Sequence, residues 1–301
     1  MIEILLAIFF ITVLLLFLGS GIWVAISMIG VSSIGMILFT SRPVGDAMAT
    51  TIWGASSSWT LTALPLFVWM GEILFRTKLS ENLFEGLAPW LQKLPGGLIH
   101  VNVVGCALFA AISGSSAATV ATVGKMSIPE LRKRKYPEKI LLGSLAGSGT
   151  LGLLIPPSII LIIYGVTVQE SIAKLFIAGI IPGIMIALIF MGYVIIWSLL
   201  NKNKMPLTEE NYSFLNKLSK SKQLIPVILL ILGVIGSIYT GIATATEAAS
   251  LGVVGALILS YFQKSLNLKT FKESLLGATK TSCMIAFILA GATFLSLSLI
   301  N

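Results

Sequence analysis

The chain has 301 residues, of which 56% are hydrophobic and 11% are charged, and its mean hydropathy is +0.98. Runs of about 20 apolar residues can cross a bilayer, and their number here indicates an integral membrane protein and excludes a soluble domain with a large core. The net charge of +8 does not indicate nucleic-acid binding, because nearly all Lys and Arg lie in short loops between apolar runs, as the positive-inside rule expects.

The first apolar runs, at 2–18, 21–40 and 62–76, are predicted to cross the membrane. The N-terminus, Met1-Ile2-Glu3, lacks the basic segment with which a signal peptide begins. Residues 2–18 are therefore interpreted as a membrane span and not as a removed leader.

Residues 77–96 differ from these runs because charged and apolar side chains alternate there at helical spacing. This pattern predicts an amphipathic helix that lies in the cytoplasmic interface and does not cross the membrane. Pro89 and Pro95-Gly96-Gly97 are expected to break the helix.

An apolar segment at 97–128 is interrupted by Ser113, Gly114, Ser115 and Ser116, and it is predicted to form two helical arms that meet at these residues. In hydrocarbon each unpaired backbone amide or carbonyl costs several kcal/mol, so an interruption persists only where protein or water covers it. Glycine permits the turn, while hydroxyls and freed carbonyls offer oxygen ligands to a cation. The alternative is a patch of small residues that only packs helices.

A second interruption is predicted in the segment 139–168. Its helix-breaking and polar residues are Gly149, Thr150, Pro156, Pro157 and Ser158. A single proline in a span is often only a kink, whereas two adjacent prolines remove two amide donors and stop a helix. Two breaks this close together predict a polar site inside the membrane.

The remaining spans are predicted at 175–200, 223–240, 242–262 and 274–300, with a polar loop at 201–222. The span at 242–262 opens with Thr244, Ala245, Thr246 and Glu247. Thr244 and Glu247 have the spacing of a capping box, but a carboxylate at membrane depth is also costly enough to suggest a role near an ion site. Both interpretations stay open.

Basic residues predict the orientation, with the loops 131–139 and 201–222 on the cytoplasmic side. If 97–128 enters the membrane and returns to the same face, nearly all Lys and Arg share that side, and only Arg42 and Lys174 lie opposite. The N-terminus is then periplasmic. If 97–128 crosses instead, the excess is smaller, so the count favours a re-entrant hairpin modestly.

Catalysis is not indicated. The one histidine, His100, belongs to the same arm as Ser113, and the sequence has no His, Asp and Glu cluster for a metal. A nucleotide-binding P-loop is also missing, which disfavours direct use of ATP. We therefore expect no enzyme and no cofactor besides coupling ions, and the lack of an intramembrane Asp or His relay favours sodium over protons.

Six motifs resemble, in order and spacing, the large membrane subunit of tripartite ATP-independent periplasmic (TRAP) transporters. They are PLFVWMGE at 65–72, LPGG at 94–97, SGSSAAT at 113–119, GTLG with IPPS at 149–158, AGIIPG at 178–183 and GIATATEAA at 241–249. Each motif alone is weak, but together they are specific and extend over nearly the whole chain.

The resemblance implies an all-α polytopic membrane protein of the bacterial inner membrane, an elevator-type secondary transporter with inverted repeats, a re-entrant hairpin and broken helices. It implies sodium-coupled uptake of a small carboxylate, such as a C4-dicarboxylate or sialic acid. The implied partners are a small membrane subunit with four spans and a periplasmic substrate-binding protein.

The resemblance also implies where ion and substrate bind. One half of the site would consist of the tip and the broken helix, with sodium held through backbone carbonyls near Ser113, Ser115 and Gly149. A segment close to the second half would lie at the Thr246-Glu247 turn. The residues implied in all are Ser113, Gly114, Ser115, Ser116, Thr119, Gly149, Thr150, Pro156, Pro157, Ser158, Thr244, Thr246 and Glu247.

Divided on this basis, the chain has N-terminal scaffold spans at 1–96, a transport part at 97–200, a cytoplasmic loop at 201–222 and the start of a second repeat at 223–301. The family's second hairpin and second Pro-Pro break are missing from this sequence. We therefore expect an incomplete second repeat and a C-terminally truncated subunit that carries half of the site.

Two alternatives stay open. One is a divalent-anion/sodium symporter that works without a binding protein, and the other is a non-transporting membrane scaffold. Neighbouring genes for a secreted binding protein and a four-span protein would favour the tripartite transporter.

Overall fold

The computed structural model describes residues 2–76, 79–206, 213–222 and 224–300, and all regular structure in these ranges is helical. This confirms the predicted all-α class. The α-helices are α1 (Ile2–Gly19), α2 (Val24–Phe39), α3 (Val44–Ser56), α4 (Ala63–Phe75), α5 (Leu79–Leu91), α6 (Ile99–Ser113), α7 (Ser116–Lys133), α8 (Glu138–Gly149), α9 (Ile159–Val168), α10 (Ile172–Leu200), α11 (Phe214–Ser221), α12 (Ile225–Tyr239), α13 (Ala245–Phe262) and α14 (Leu268–Ile300). Short 3-10 helices lie at Trp59–Thr62, Thr150–Leu153 and Lys202–Lys204.

Several helices are suited to a membrane. Among the described residues, three helices are long and apolar enough to cross one: α10, α13 and most of α14. The number rises to five if two bent helix pairs are each counted as one span. Shorter apolar helices, α1, α2, α6 and α9, accompany them. The architecture is that of a polytopic membrane protein.

One compact unit consists of Met1–Leu61 and Lys280–Asn301. Small residues let its helices approach closely, as is usual where lipid surrounds them. The ring of Phe10 on α1 lies directly against Gly35 on α2. Gly291 on α14 faces the backbone of α2, where an added Cβ would lie 2.9 Å from the Ala25 carbonyl oxygen.

The other compact unit, Thr62–Thr279, is built around α6. This helix packs against α4, α5, α7, α8 and α10, and most of its residues are buried. A helix that is apolar on all sides needs protein or lipid on all sides, and here neighbouring helices supply the cover. The core of the unit includes Ile99, Val103 and Phe109 at 0% exposure.

Both predicted helix interruptions are confirmed as breaks in the backbone, one between α6 and α7 and the other between α8 and α9. Some boundaries differ from the prediction, however. Helix α7 continues to Lys133, and α14 begins at Leu268, before the predicted residue 274. Helix α3 lies in 41–61, where no element was predicted, because its sequence has little periodicity.

The prediction that Pro89 breaks the amphipathic helix is wrong, because α5 continues through Pro89 and ends at Leu91. Its side chains Phe84, Leu87 and Leu91 pack against a buried cluster that includes Leu98 and Val194. This packing outweighs the loss of one hydrogen bond at the proline. The predicted polar loop 201–222 likewise contains a helix, α11.

Candidate functional site

The hairpin tip turns at Gly114, which adopts the left-handed conformation with φ +58° and donates its N–H to the Ala110 carbonyl at 3.0 Å. Residues other than glycine rarely adopt this conformation. Ser115 then caps α7, its Oγ accepting a hydrogen bond from the Ala118 amide at 3.4 Å. Helices α6 and α7 pack against each other and leave the tip, as predicted, at Ser113–Ser116.

The hydroxyls of the tip form a local network. Ser113 Oγ and Thr119 Oγ1 lie 3.0 Å apart, and Thr119 Oγ1 donates to the Ser115 carbonyl at 2.7 Å. The Ser113 and Thr119 side chains are buried, whereas Ser115 and Ser116 are partly exposed. The Ser115 carbonyl also accepts the Thr119 amide at 3.0 Å. This oxygen therefore has protein donors already, and the α6 carbonyls after Ala110, which lack partners within their own helix, are better placed to bind a cation.

The second break begins at Gly149 and passes through a 3-10 turn before α9 starts. Ser158 caps α9: its fully buried Oγ donates to the Leu153 carbonyl at 2.6 Å and accepts the Leu161 amide at 3.5 Å. Thr150 is exposed, and its Oγ1 donates to the Gly147 carbonyl at 2.7 Å. The Thr150 hydroxyl thus bonds to a carbonyl of its own helix, whereas the Ser158 hydroxyl bonds to a carbonyl on the other side of the second break.

The two breaks contact each other through their backbones. The Ile159 amide donates to the Gly114 carbonyl at 3.2 Å. A Cβ added at Gly114 would lie 2.5 Å from the Pro157 carbonyl oxygen. One added at Gly152 would lie 2.8 Å from the amide nitrogen of Ser116. Glycine is required on both sides because backbone lies directly against backbone.

Two further glycines, on α4 and α10, bring these helices against the same place. A Cβ at Gly71 would lie 2.9 Å from the Cα of Ser113, and one at Gly179 would lie 2.8 Å from the Leu154 carbonyl oxygen. Both glycines belong to motifs named above, at 65–72 and 178–183, but neither was predicted to lie at the site. The signal that could have found them is a glycine inside a strongly apolar span.

Four helix ends converge where the breaks meet. The C-terminal end of α6 carries partial negative charge and the N-terminal ends of α7 and α9 carry partial positive charge, each about half an elementary charge, and the 3-10 helix Thr150–Leu153 adds carbonyl groups. Residues 113–120 and 149–158 contain no Asp, Glu, Lys or Arg. Such an arrangement can hold a cation at the carbonyl ends and an anion at the amide ends without any ionised side chain.

The turn at Thr244–Glu247 is different. The Thr244 amide donates to Glu247 Oε2 at 2.8 Å, and the Glu247 amide donates to Thr244 Oγ1 at 3.3 Å, which confirms the capping box. Both side chains are exposed, and Thr246 is partly exposed. Within the described ranges no hydrogen bond joins this turn to the hairpin tip or to the second break. Its role near an ion stays a prediction.

Metal ligation by acidic or thiol side chains has no candidate here. In the part of the chain that the structure describes, no group of three or more His, Cys, Asp or Glu could hold a metal ion. Cys106 is buried and Cys283 is exposed, and both are free. The oxygens available at the breaks are backbone carbonyls and hydroxyls.

Comparison with known proteins gives a consistent result. Residues 10–301 match the family described as "Tripartite ATP-independent periplasmic transporter, DctM component". The C4-dicarboxylate TRAP transporter large permease protein DctM of Pseudomonas aeruginosa is 33% identical over 88% of this chain and 61% of its own length. The isethionate TRAP transporter permease protein DctMQ of Oleidesulfovibrio alaskensis is 33% identical over 92% of this chain and 44% of its own length.

A third relative, the sialic acid TRAP transporter large permease protein SiaM of Vibrio cholerae, is 33% identical over 92% of this chain and 64% of its own length. The chain thus spans less than two thirds of each of these relatives. The residues of both helix breaks lie inside the range that matches the family.

Proposed function

The chain belongs to the DctM family, the large permease components of TRAP transporters, and from this premise we propose that it imports a small organic acid by sodium symport across the bacterial inner membrane. Its proposed partners are a small membrane subunit with four spans and a periplasmic substrate-binding protein. The loops 131–139 and 201–222 would face the cytoplasm and the N-terminus the periplasm, and the hairpin would be re-entrant.

One observation carries the proposal: the Ile159 amide of the second break donates to the Gly114 carbonyl of the first. Backbone amides and carbonyls that leave a helix inside a membrane need hydrogen-bond partners, and each break provides one such partner for the other. The ends of four helices lie together at this contact. That arrangement suits a cation and a carboxylate bound side by side.

The chemistry of such a site is electrostatic. Sodium at the carbonyl ends of α6 and the 3-10 turn would offset the negative charge of a carboxylate held at the amide ends of α7 and α9. Each net positive charge carried inward gains roughly 2.3 kcal/mol per 100 mV of membrane potential. In the proposed elevator movement, the hairpin and the broken helix would move as one body with the bound ions.

The substrate class is proposed from the relatives' names, which mention C4-dicarboxylates, isethionate and sialic acid. All are small and polar, and the site has no charged side chain that would select one of them. A binding protein that delivers one compound would then set the specificity. A thermal-shift screen of the binding protein encoded beside this chain would identify that compound.

The test is uptake by proteoliposomes that contain the transporter and its partner subunits, in sodium and in choline medium. We expect uptake that requires sodium and the binding protein, and we expect Ser116→Phe to abolish it, because the Ser116 amide packs directly against Gly152. The matched control is Ser250→Phe, at an exposed serine of the apolar helix α13.

Three outcomes would overturn parts of this proposal. Equal uptake in choline excludes sodium coupling. Sodium-dependent uptake without the binding protein supports a stand-alone symporter, and no uptake under any condition supports a non-transporting scaffold. Normal uptake by Ser116→Phe, with normal membrane insertion, removes the tip from the site.

A further inference from the structure

Helix α11 presents an uncovered apolar side. The exposed fractions of Phe214, Leu215 and Leu218 are 65%, 74% and 47%. Their spacing places them on one side of a helix of two turns. Three large apolar side chains open in so short a helix need a covering surface. In the neighbouring helix α5, by contrast, Phe84, Leu87 and Leu91 pack against the protein core.

The position of α11 is fixed by Trp90 on α5. The rings of Trp90 and Phe214 meet edge to face with centroids 6.1 Å apart, and Lys217 Nζ lies 5.3 Å from the centre of the Trp90 ring. Trp90 Nε1 donates to Ser221 Oγ at 2.8 Å, and Ser221 Oγ donates to the Gly86 carbonyl at 3.3 Å. The uncovered side therefore belongs to a docked helix and has a set direction.

Within the segment 213–224 the only charged residues are the lysines Lys217, Lys220 and Lys222, and Glu209 and Glu210 precede it in the sequence. Two more lysines, Lys202 and Lys204, are exposed on the preceding 3-10 helix. Apolar side chains flanked by lysines are the pattern of a helix that lies in the headgroup region of an anionic membrane.

The angle to the next helix agrees with that placement. Helix α11 is bent by 57° from α12, an apolar helix that begins at Ile225. A bend of this size lets a short helix lie along the membrane surface beside the start of a span. Its lysines can then reach phosphate groups while its apolar side chains enter the acyl boundary.

We propose that α11, docked on Trp90, is a binding surface for anionic phospholipid headgroups of the cytoplasmic leaflet. Phe214, Leu215 and Leu218 insert beside the headgroups, and Lys217, Lys220 and Lys222 contact the phosphates. Because α5 packs against α6, the lipid contact would also fix the helix that carries the first hairpin arm. The inference rests on the proposed membrane location and is independent of transport.

The test is hydrogen–deuterium exchange of residues 214–221 in the whole chain, in phosphatidylcholine nanodiscs and in nanodiscs that also contain phosphatidylglycerol. We expect at least about fivefold slower exchange with phosphatidylglycerol, since one lysine near an anionic surface contributes about that factor in binding. High salt should remove much of the difference, because it screens exposed charges.

Two variants separate the causes. K217A/K220A/K222A should bring the ratio of exchange rates in the two lipids close to one, and the matched control K264A/K269A/K272A should leave it unchanged. Leu215→Ser should lower the protection as well, and it leaves the contacts of Trp90 with Phe214, Lys217 and Ser221 in place. No sodium or substrate is present, so the result does not depend on whether the chain transports.

Equal exchange of α11 in both lipids in the unaltered chain would overturn the proposal. So would an equal loss of the ratio in both triple lysine variants, because it would show only a general effect of net charge. Protection that appears only when a partner subunit is added, whatever the lipid, would identify α11 as a protein-docking surface instead.

Discussion

The three predicted site segments each combine a helix end with hydroxyl residues, and they fall into two kinds. At the hairpin tip and the second break, the backbone of one interruption bonds to the backbone of the other, at Gly114 and Ile159. At Thr244 the side chain bonds to Glu247 three residues on and both are exposed. The same residue types thus serve a shared buried site in one case and a local helix cap in the other.

The difference teaches that a polar interruption is not informative by itself. What distinguishes the two kinds is whether a distant segment uses the freed backbone groups. The shared site requires glycine where the chains touch, whereas the cap requires only a threonine and a glutamate at the right spacing. Substitutions should therefore have different effects at the two kinds of place.

The largest effect is expected for Gly114→Ala. Its φ of +58° and the nearby Pro157 carbonyl, 2.5 Å from the new Cβ, both oppose a side chain. We expect a loss of about 3 kcal/mol in the free energy of unfolding, from backbone strain and overpacking. Unfolding of the purified chain in detergent micelles measures it.

The control for this substitution is Gly143→Ala on α8, where an added Cβ has open space. There we expect unchanged or slightly higher stability, because alanine favours a helix over glycine by roughly 0.5–1 kcal/mol. Equal stability of the Gly114→Ala variant and the unaltered chain would show that the backbone contact at the tip is not a constraint.

The next largest effect is expected for Ser158→Ala, which removes the cap of α9 and leaves the Leu153 carbonyl without its donor. We expect a loss of about 2 kcal/mol. Ser171, which caps α10 but is exposed, provides the matched control, and Ser171→Ala should cost about 0.5–1 kcal/mol. Equal losses at both serines would contradict a special role for the buried break.

A smaller and more local effect is expected for Thr244→Ala. Loss of the capping box should lower stability by about 1 kcal/mol. Amide exchange should increase in the first turn of α13 and stay unchanged at the hairpin tip. Faster exchange at Ser113–Ser116 in this variant would show that the Thr244 turn and the hairpin tip are coupled, and it would contradict their separation in the structure.

The smallest effect is expected for the ion pair between Arg132, in the last turn of α7, and Glu138, in the first turn of α8. The guanidinium holds the pKa of Glu138 below its ordinary value of 4.5. The pair therefore stabilises the chain fully above pH 4.5, and this contribution disappears as pH falls through the lowered pKa. Both groups are exposed, so the contribution is small.

The check is the difference in unfolding midpoint between the unaltered chain and Glu138→Gln, followed from neutral to acid pH. The difference should shrink as the pH falls below 4.5. A difference that grows with acidity would reverse the assigned sign.

The sequence predicted the two interruptions, because glycine and proline act locally at Gly114, Pro156 and Pro157. It did not predict that Gly71 and Gly179 close around the breaks, because that depends on contacts between distant segments. Helix α5 shows the same limit in reverse, since tertiary packing carries it through Pro89. The role of the Thr244 turn stayed ambiguous because a helix cap and an ion site use the same residue types, threonine and glutamate.

The functional division of the chain into scaffold, transport part and second repeat stays a prediction.

The central claim is that the two interruptions form one ion site. Amide exchange at 113–119 and 150–161, measured in the membrane-reconstituted transporter in sodium chloride and in choline chloride of equal ionic strength, tests it most directly. The account predicts that sodium slows exchange in both segments together. Identical rates in the two salts, or slowing in one segment alone, would contradict it.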